Sequence, residues 1–104
     1  MADEFVKGGA WVSVLALAEA VWVLASSYQF AAHELATSIA MLLSHRDFVL
    51  QDSDAVEAAL TLFRARPALG FSDCLMLELA RKNGHLPLGT FDRTLGRVSG
   101  AQKL

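Results

Sequence analysis

GFSDCLMLELARKNGHLPLGTFDR, residues 70–93, decides how the chain is read. It divides into a loop, a helix, a turn, a short strand and an exit loop. Ser72 carries the side chain of an N-cap, and Asp73 falls in the first turn after it, where a carboxylate meets unpaired N–H groups and the positive end of the helix dipole. Leu75, Met76, Leu79 and Ala80 recur at helical spacing, Arg81 and Lys82 occupy the last turn, and Asn83-Gly84 supplies a residue able to take the left-handed conformation that ends a helix. Leu86 to Phe91 is short, apolar and broken by Pro87 and Gly89, which predicts a brief buried strand. Asp92 leaves that strand. A carboxylate opening a helix and another leaving the next strand point at one crevice, at the carboxyl edge of a parallel sheet, where open α/β folds place their sites.

Outward from this stretch, composition sets the bounds. A chain of 104 residues, 54% hydrophobic, is one small domain, 1–104, with enough apolar side chains for a core. The lone Cys74 forms no internal disulfide and reads as a small apolar residue buried on its helix; nothing demands an oxidising compartment, and a cytoplasmic protein is expected. The formal net charge of −2 hides an asymmetry. Residues 1–63 hold two basic side chains against eight acids, hence −6, while residues 64–104 hold seven against three, hence +4. The basic half suits phosphates or an acidic partner.

From Gly8 to Ala32 the only charge is Glu19, which raises the question of a membrane span. A carboxylate in mid-span costs roughly 2.5–3.5 kcal/mol, and Ser26-Ser27-Tyr28-Gln29 breaks the hydrophobic run. The sequence is therefore read as a short strand at Ala10 to Ser13 followed by a buried helix over Val14 to Tyr28. Glu19 is then either held by a partner or metal, or set at a helix edge reaching water. A second helix is expected over Ala32 to Leu43, with Leu35, Ile39, Leu42 and Leu43 on one face, and a strand at Phe48 to Leu50. Asp52, Ser53 and Asp54 offer caps for a third helix, with Glu57 placed as in a capping box and Val56, Leu60 and Phe63 as the apolar stripe up to Arg66-Pro67. Arg93 to Arg97 has room for one more helical turn, and Ser99 to Leu104 reads as a loose tail.

Short strands alternating with helices of about a dozen residues define an α/β fold, a parallel sheet covered by helices on both faces. No Walker loop, GxGxxG turn, HExxH helix or zinc spacing is present. The three histidines, His33, His45 and His85, stand beside turns and read as solvated. Carboxylates remain: Glu19, Asp73 and Asp92, brought together, make a hard-oxygen site suited to Mg²⁺ or Mn²⁺.

At these residues the chain resembles a known family. AEAVWVL with Glu19, GFSDCLMLELARKNGH with Asp73, and LGTFDR with Thr90 and Asp92 look like the second, third and fourth acidic positions of PIN-domain ribonucleases, in the toxin members of VapBC-type toxin–antitoxin pairs. The resemblance spans about Phe5 to Leu104. It implies a metal-dependent endoribonuclease in which Glu19, Asp73 and Asp92 hold Mg²⁺ or Mn²⁺, Thr90 supports the site by hydrogen bonding, and a metal-bound water attacks an RNA phosphodiester. Arg93 and Arg97 are candidate phosphate contacts from position and charge. The implied partners are RNA and a cognate antitoxin protein.

The resemblance departs at its start. Family members open with a strand ending in an Asp-Thr-Asn type motif, then a helix; this sequence begins at the end of that helix, and Asp3 and Glu4 do not replace the missing acid. The absent strand is the central one of the family sheet, so the strands near Ala10 and Leu88 lose the neighbour that separates them. Self-association, as a homodimer or higher, is expected from the exposed edges. The alternative reading is a catalytically inactive PIN module that binds an antitoxin or a second copy of itself; a small membrane-associated protein is a third.

Overall fold

The first strand, β1 (Ala10–Val12), stops at Ser13 because that side chain turns to cap a helix: its hydroxyl accepts from the Ala16 N–H at 3.0 Å and α1 runs over Val14–Ser26. The structure, a computed structural model, describes residues 10–85, 88–90 and 100–103, the side chains of 88–90 and 103 excepted. The chain divides into two compact units, Met1–Ser53 and Asp54–Leu104.

In the first unit α2 (Ala32–Ser44) follows α1, and β2 (Phe48–Leu50) pairs with β1 in parallel register, Ala10 with Phe48, Trp11 with Val49 and Val12 with Leu50. The Gln51 side chain beyond β2 accepts from the Val14 N–H at 3.0 Å, tying the strand exit to the start of α1. The opening of α2 has no side-chain cap; Glu34 compensates by accepting from the Ala31 N–H at 2.8 Å. Leu17 and Val21 of α1 and Leu35, Ala36 and Ile39 of α2 are buried. The expectation of a buried first helix is corrected here: α1 buries one narrow stripe, and Leu15 and Trp22 are 69% and 66% exposed. The sheet is likewise uncovered on one face. Its inward residues Ala10 and Leu50 are buried, but the register partners Trp11 and Val49 are 62% and 61% exposed, unlike the usual parallel sheet covered on both sides.

In the second unit α3 (Ser53–Ala65, whose first residue closes the first unit) buries Ala55, Val56, Ala59, Leu60 and Phe63, the stripe that the sequence predicts, and ends before Pro67. A 3₁₀ turn, Pro67–Leu69, leads to Gly70 at φ +80° and then to α4 (Phe71–Lys82). This places the start of α4 two residues earlier than the Ser72 cap predicts. Gly70 provides the turn, its C=O receives the Cys74 N–H at 3.3 Å, and Phe71 must be helical to bury its ring edge-on to Phe63 at 6.0 Å. The C-terminus of α4 closes as Asn83-Gly84 predicts. Gly84 takes φ +73°, its N–H donates to Arg81, and the His85 N–H donates to Ala80 at 2.9 Å, the paired bonds of a Schellman cap. Beyond it β3 (Leu88–Thr90) pairs in parallel with β4 (Ala101–Lys103). The tail is thus corrected to a strand where Ala101 to Lys103 is concerned. Its Ala-Gln-Lys sequence carries no apolar alternation, and backbone pairing with β3 makes it extended. The additional turn expected at Arg93 to Arg97 lies outside the described residues.

The architecture is mixed α/β; among the described residues the parallel pairing falls in two two-stranded sheets, β1–β2 and β3–β4, with helices beside them. Among the described residues no helix is long and apolar enough to cross a membrane.

Candidate functional site

Asp73 occupies the first turn of α4, three residues after Gly70, at the positive end of the helix dipole. It is half-buried, and α4 approaches β3 within the second unit. Thr90 ends β3, its side chain outside the description; Asp92, Arg93 and Arg97 lie outside the described residues altogether. Glu19 belongs to the first unit and is exposed on the outer stripe of α1, between Leu15 and Trp22. The described residues contain no group of three or more His, Cys, Asp or Glu placed to hold a metal. The acids proposed for the site are hard oxygen donors, and that donor chemistry fits Mg²⁺ or Mn²⁺ rather than a soft ion.

Other polar groups sort into structural roles. Asp54 is not the cap of α3 but lies in its first turn, where the Lys82 ammonium donates to its Oδ1 at 2.7 Å and holds the carboxyl below the ordinary aspartate range. This pair links the beginning of α3 to the end of α4, so Asp54 serves the packing of the two helices. It is fully exposed, and its contribution, present above pH 3.8, is lost as pH falls through the lowered value. His33, His45 and His85 are exposed, as expected; the His45 ring lies 4.7 Å from that of Phe48. A shallow cavity of about 270 Å³ between Ser38, Met41, Leu42 and His45 contains no carboxylate.

Cys74, next to Asp73, is completely buried, in agreement with its reading as a small apolar residue. Burial, reinforced by the negative charges of Asp73 and Glu78, pushes its thiol up to about 11. A pKa raised by folding gives stability that is complete below the ordinary value of 9.0 and declines as pH rises toward 11. The expected result is that a thiol reagent leaves Cys74 untouched in the folded chain at neutral pH and labels it only with unfolding. A denaturation midpoint that falls between pH 9.0 and about 11, and holds steady in Cys74→Ala, checks the linkage.

The protein-family model for the PIN domain matches residues 2–101. No curated protein and no solved structure matches the chain. PIN domains are generally nucleases and typically use divalent metals. With the match running over nearly its whole length and the fold mixed α/β, this chain belongs to the PIN domain family.

Proposed function

We propose that the chain is a Mg²⁺- or Mn²⁺-dependent endoribonuclease of the toxin–antitoxin type, with Glu19, Asp73 and Asp92 holding the ion, Thr90 supporting them, and Arg93 and Arg97 receiving RNA phosphates. The observation that carries the reading is the PIN match over residues 2–101, within which the three acids keep the order and helical context of the resemblance. When bound, a divalent ion supplies Lewis acidity and lowers the pKa of water. The protein's part is positional. The first turn of α4 carries Asp73, the burial of Phe71, Cys74 and Leu77 fixes the direction of that turn, and the guanidinium groups following Asp92 attract the phosphodiester. A cognate antitoxin is the proposed protein partner.

A second reading, a weak or inactive PIN module, is favoured by one observation: among the described residues β1 pairs only with β2 and β3 only with β4. That is the pairing expected of a sheet in which the family's central strand does not separate these elements. Incubating the purified chain with a structured RNA in Mg²⁺ or Mn²⁺ separates the two. The nuclease reading expects cleavage that chelation stops and that Asp73→Asn or Asp92→Asn lowers by about a hundredfold, the scale on which metal-site partners act. Cleavage indifferent to the metal or to both substitutions refutes it, and no cleavage with retained antitoxin binding favours the inactive module.

A further inference from the structure

A carboxylate site that receives RNA repels the phosphates of its own substrate, so the cations at the Asp73 end of α4 matter. Among the described side chains of the second unit, Arg64, Arg66, Arg81 and Lys82 are basic. Arg81 and Lys82 lie at the far end of α4, Arg81 about 12 Å along the axis from Asp73 at ~1.5 Å per residue, and they pair with Glu78 and Asp54. Arg64 lies in the last turn of α3, where a cation complements the negative end of the helix dipole. Arg66 stands apart from these roles. Its N–H makes a last helical bond to the Leu62 C=O at 2.8 Å, and its backbone then turns to φ −138° and ψ 69°, because a residue before proline is driven from the helical region.

From Arg66 the chain reaches Asp73 through two consecutive hydrogen-bonded turns. Gly70 closes the 3₁₀ turn with its N–H on the Pro67 C=O at 3.2 Å, and the C=O of the same glycine accepts from the Cys74 N–H at 3.3 Å. Buried Leu69 and Phe71 pin both turns to the core, which holds the Arg66 backbone at this corner while its side chain is exposed. The buried Cys74 sulfur senses both charges: beyond the effect of burial, the Asp73 carboxylate raises its pKa and the Arg66 guanidinium lowers it. No acid among the described residues forms an ion pair with Arg66. A guanidinium fixed in place beside a carboxylate site presents a planar fork that matches two oxygens of a phosphate. We propose, resting on the endoribonuclease reading, that Arg66 is an RNA-binding residue of this site: its guanidinium grips a backbone phosphate flanking the linkage presented to Asp73. It adds to Arg93 and Arg97 a contact from the segment that precedes Asp73 in the chain.

Fluorescence anisotropy with a labelled single-stranded RNA oligonucleotide, in chelator so that metal-dependent cutting does not intervene, tests it on the wild type, Arg66→Gln and Arg64→Gln. Both changed side chains are exposed, so no core packing is lost. Arg66→Gln should bind about tenfold more weakly, and its slope of log affinity against log salt should be shallower by about 0.7, the loss of one phosphate contact on a single strand. Arg64→Gln removes the same net charge and should bind as the wild type does. On RNA in Mn²⁺, Arg66→Gln should raise KM about tenfold and leave kcat unchanged, the signature of lost substrate binding. Its melting temperature should respond to Mn²⁺ as the wild type's does, because Arg66 holds phosphate and not the ion. RNA binding that depends on Arg66 in a chain that cuts nothing upholds the contact and removes the nuclease reading; Arg66→Gln that binds and cuts as the wild type does removes the contact alone. Equal weakening by Arg64→Gln, an unchanged salt slope, or a wild type that binds no RNA also overturns the proposal.

Discussion

Truncating Leu77 to alanine should cost about 3 kcal/mol of folding stability, within the roughly 2–5 kcal/mol of buried leucine truncations. Leu77 is fully buried on α4, in a unit whose core also contains Val56, Leu60, Phe63, Leu69, Phe71 and Leu75. Removing its branched end takes away the transfer free energy of the lost methyl groups and leaves a space that close-packed neighbours fill only in part. For a chain of 104 residues, with a total stability of roughly 5–15 kcal/mol, this is a large fraction. Met76, the preceding residue, is 49% exposed, and Met76→Ala should cost less than about 1 kcal/mol. Urea unfolding of both variants, with unchanged slope and shifted midpoint, measures the difference. Equal losses at the two positions would mean that α4 presents a different face to its core. Because Asp73 lies one turn before Leu77, the same truncation should also loosen the carboxylate proposed for the metal site.

The second large effect concerns divalent ions. Carboxylates gathered without a cation repel each other, and an ion that binds only the folded chain stabilises it by mass action. At about a hundred times the dissociation constant the gain is roughly 2.7 kcal/mol, which for a chain of this length raises the melting temperature by on the order of 10 °C. Mn²⁺ is expected to produce such a shift in the wild type and to lose most of it in Asp73→Asn, with chelated protein free of divalent ions as the baseline. The readout is the melting temperature, so it holds for a chain that binds metal and cuts poorly. An unchanged melting temperature in millimolar Mn²⁺, or the same shift in Asp73→Asn, removes Asp73 from the site.

Much of this fold follows from local chemistry. Asn83-Gly84 ends α4 because glycine reaches φ +73° without cost, and this needs no knowledge of the remaining chain. Val56, Leu60 and Phe63 declare the inner face of α3 by spacing alone, and Phe48 to Leu50 declares a strand. The acids of the candidate site are equally legible as residues: Glu19 as the one charge of an apolar helix, Asp73 as a first-turn carboxylate, and Asp92 as the acid after a strand.

Tertiary structure decided what local pattern leaves degenerate. α4 is apolar at Leu75, Met76, Leu77 and Leu79, so periodicity alone admits more than one buried face; packing chose Phe71, Cys74, Leu75 and Leu77 and turned Met76 outward. The helix began at Phe71 because that ring had a partner in Phe63, a contact between distant residues that no cap preference reports. β4 formed from Ala101 to Lys103 because β3 offered hydrogen bonds, although its side chains ask for no strand. The exposure of Leu15, Trp22, Trp11 and Val49 is of the same kind. Hydrophobicity states that a side chain gains by leaving water, but only the arrangement of the neighbouring elements determines whether anything is there to cover it.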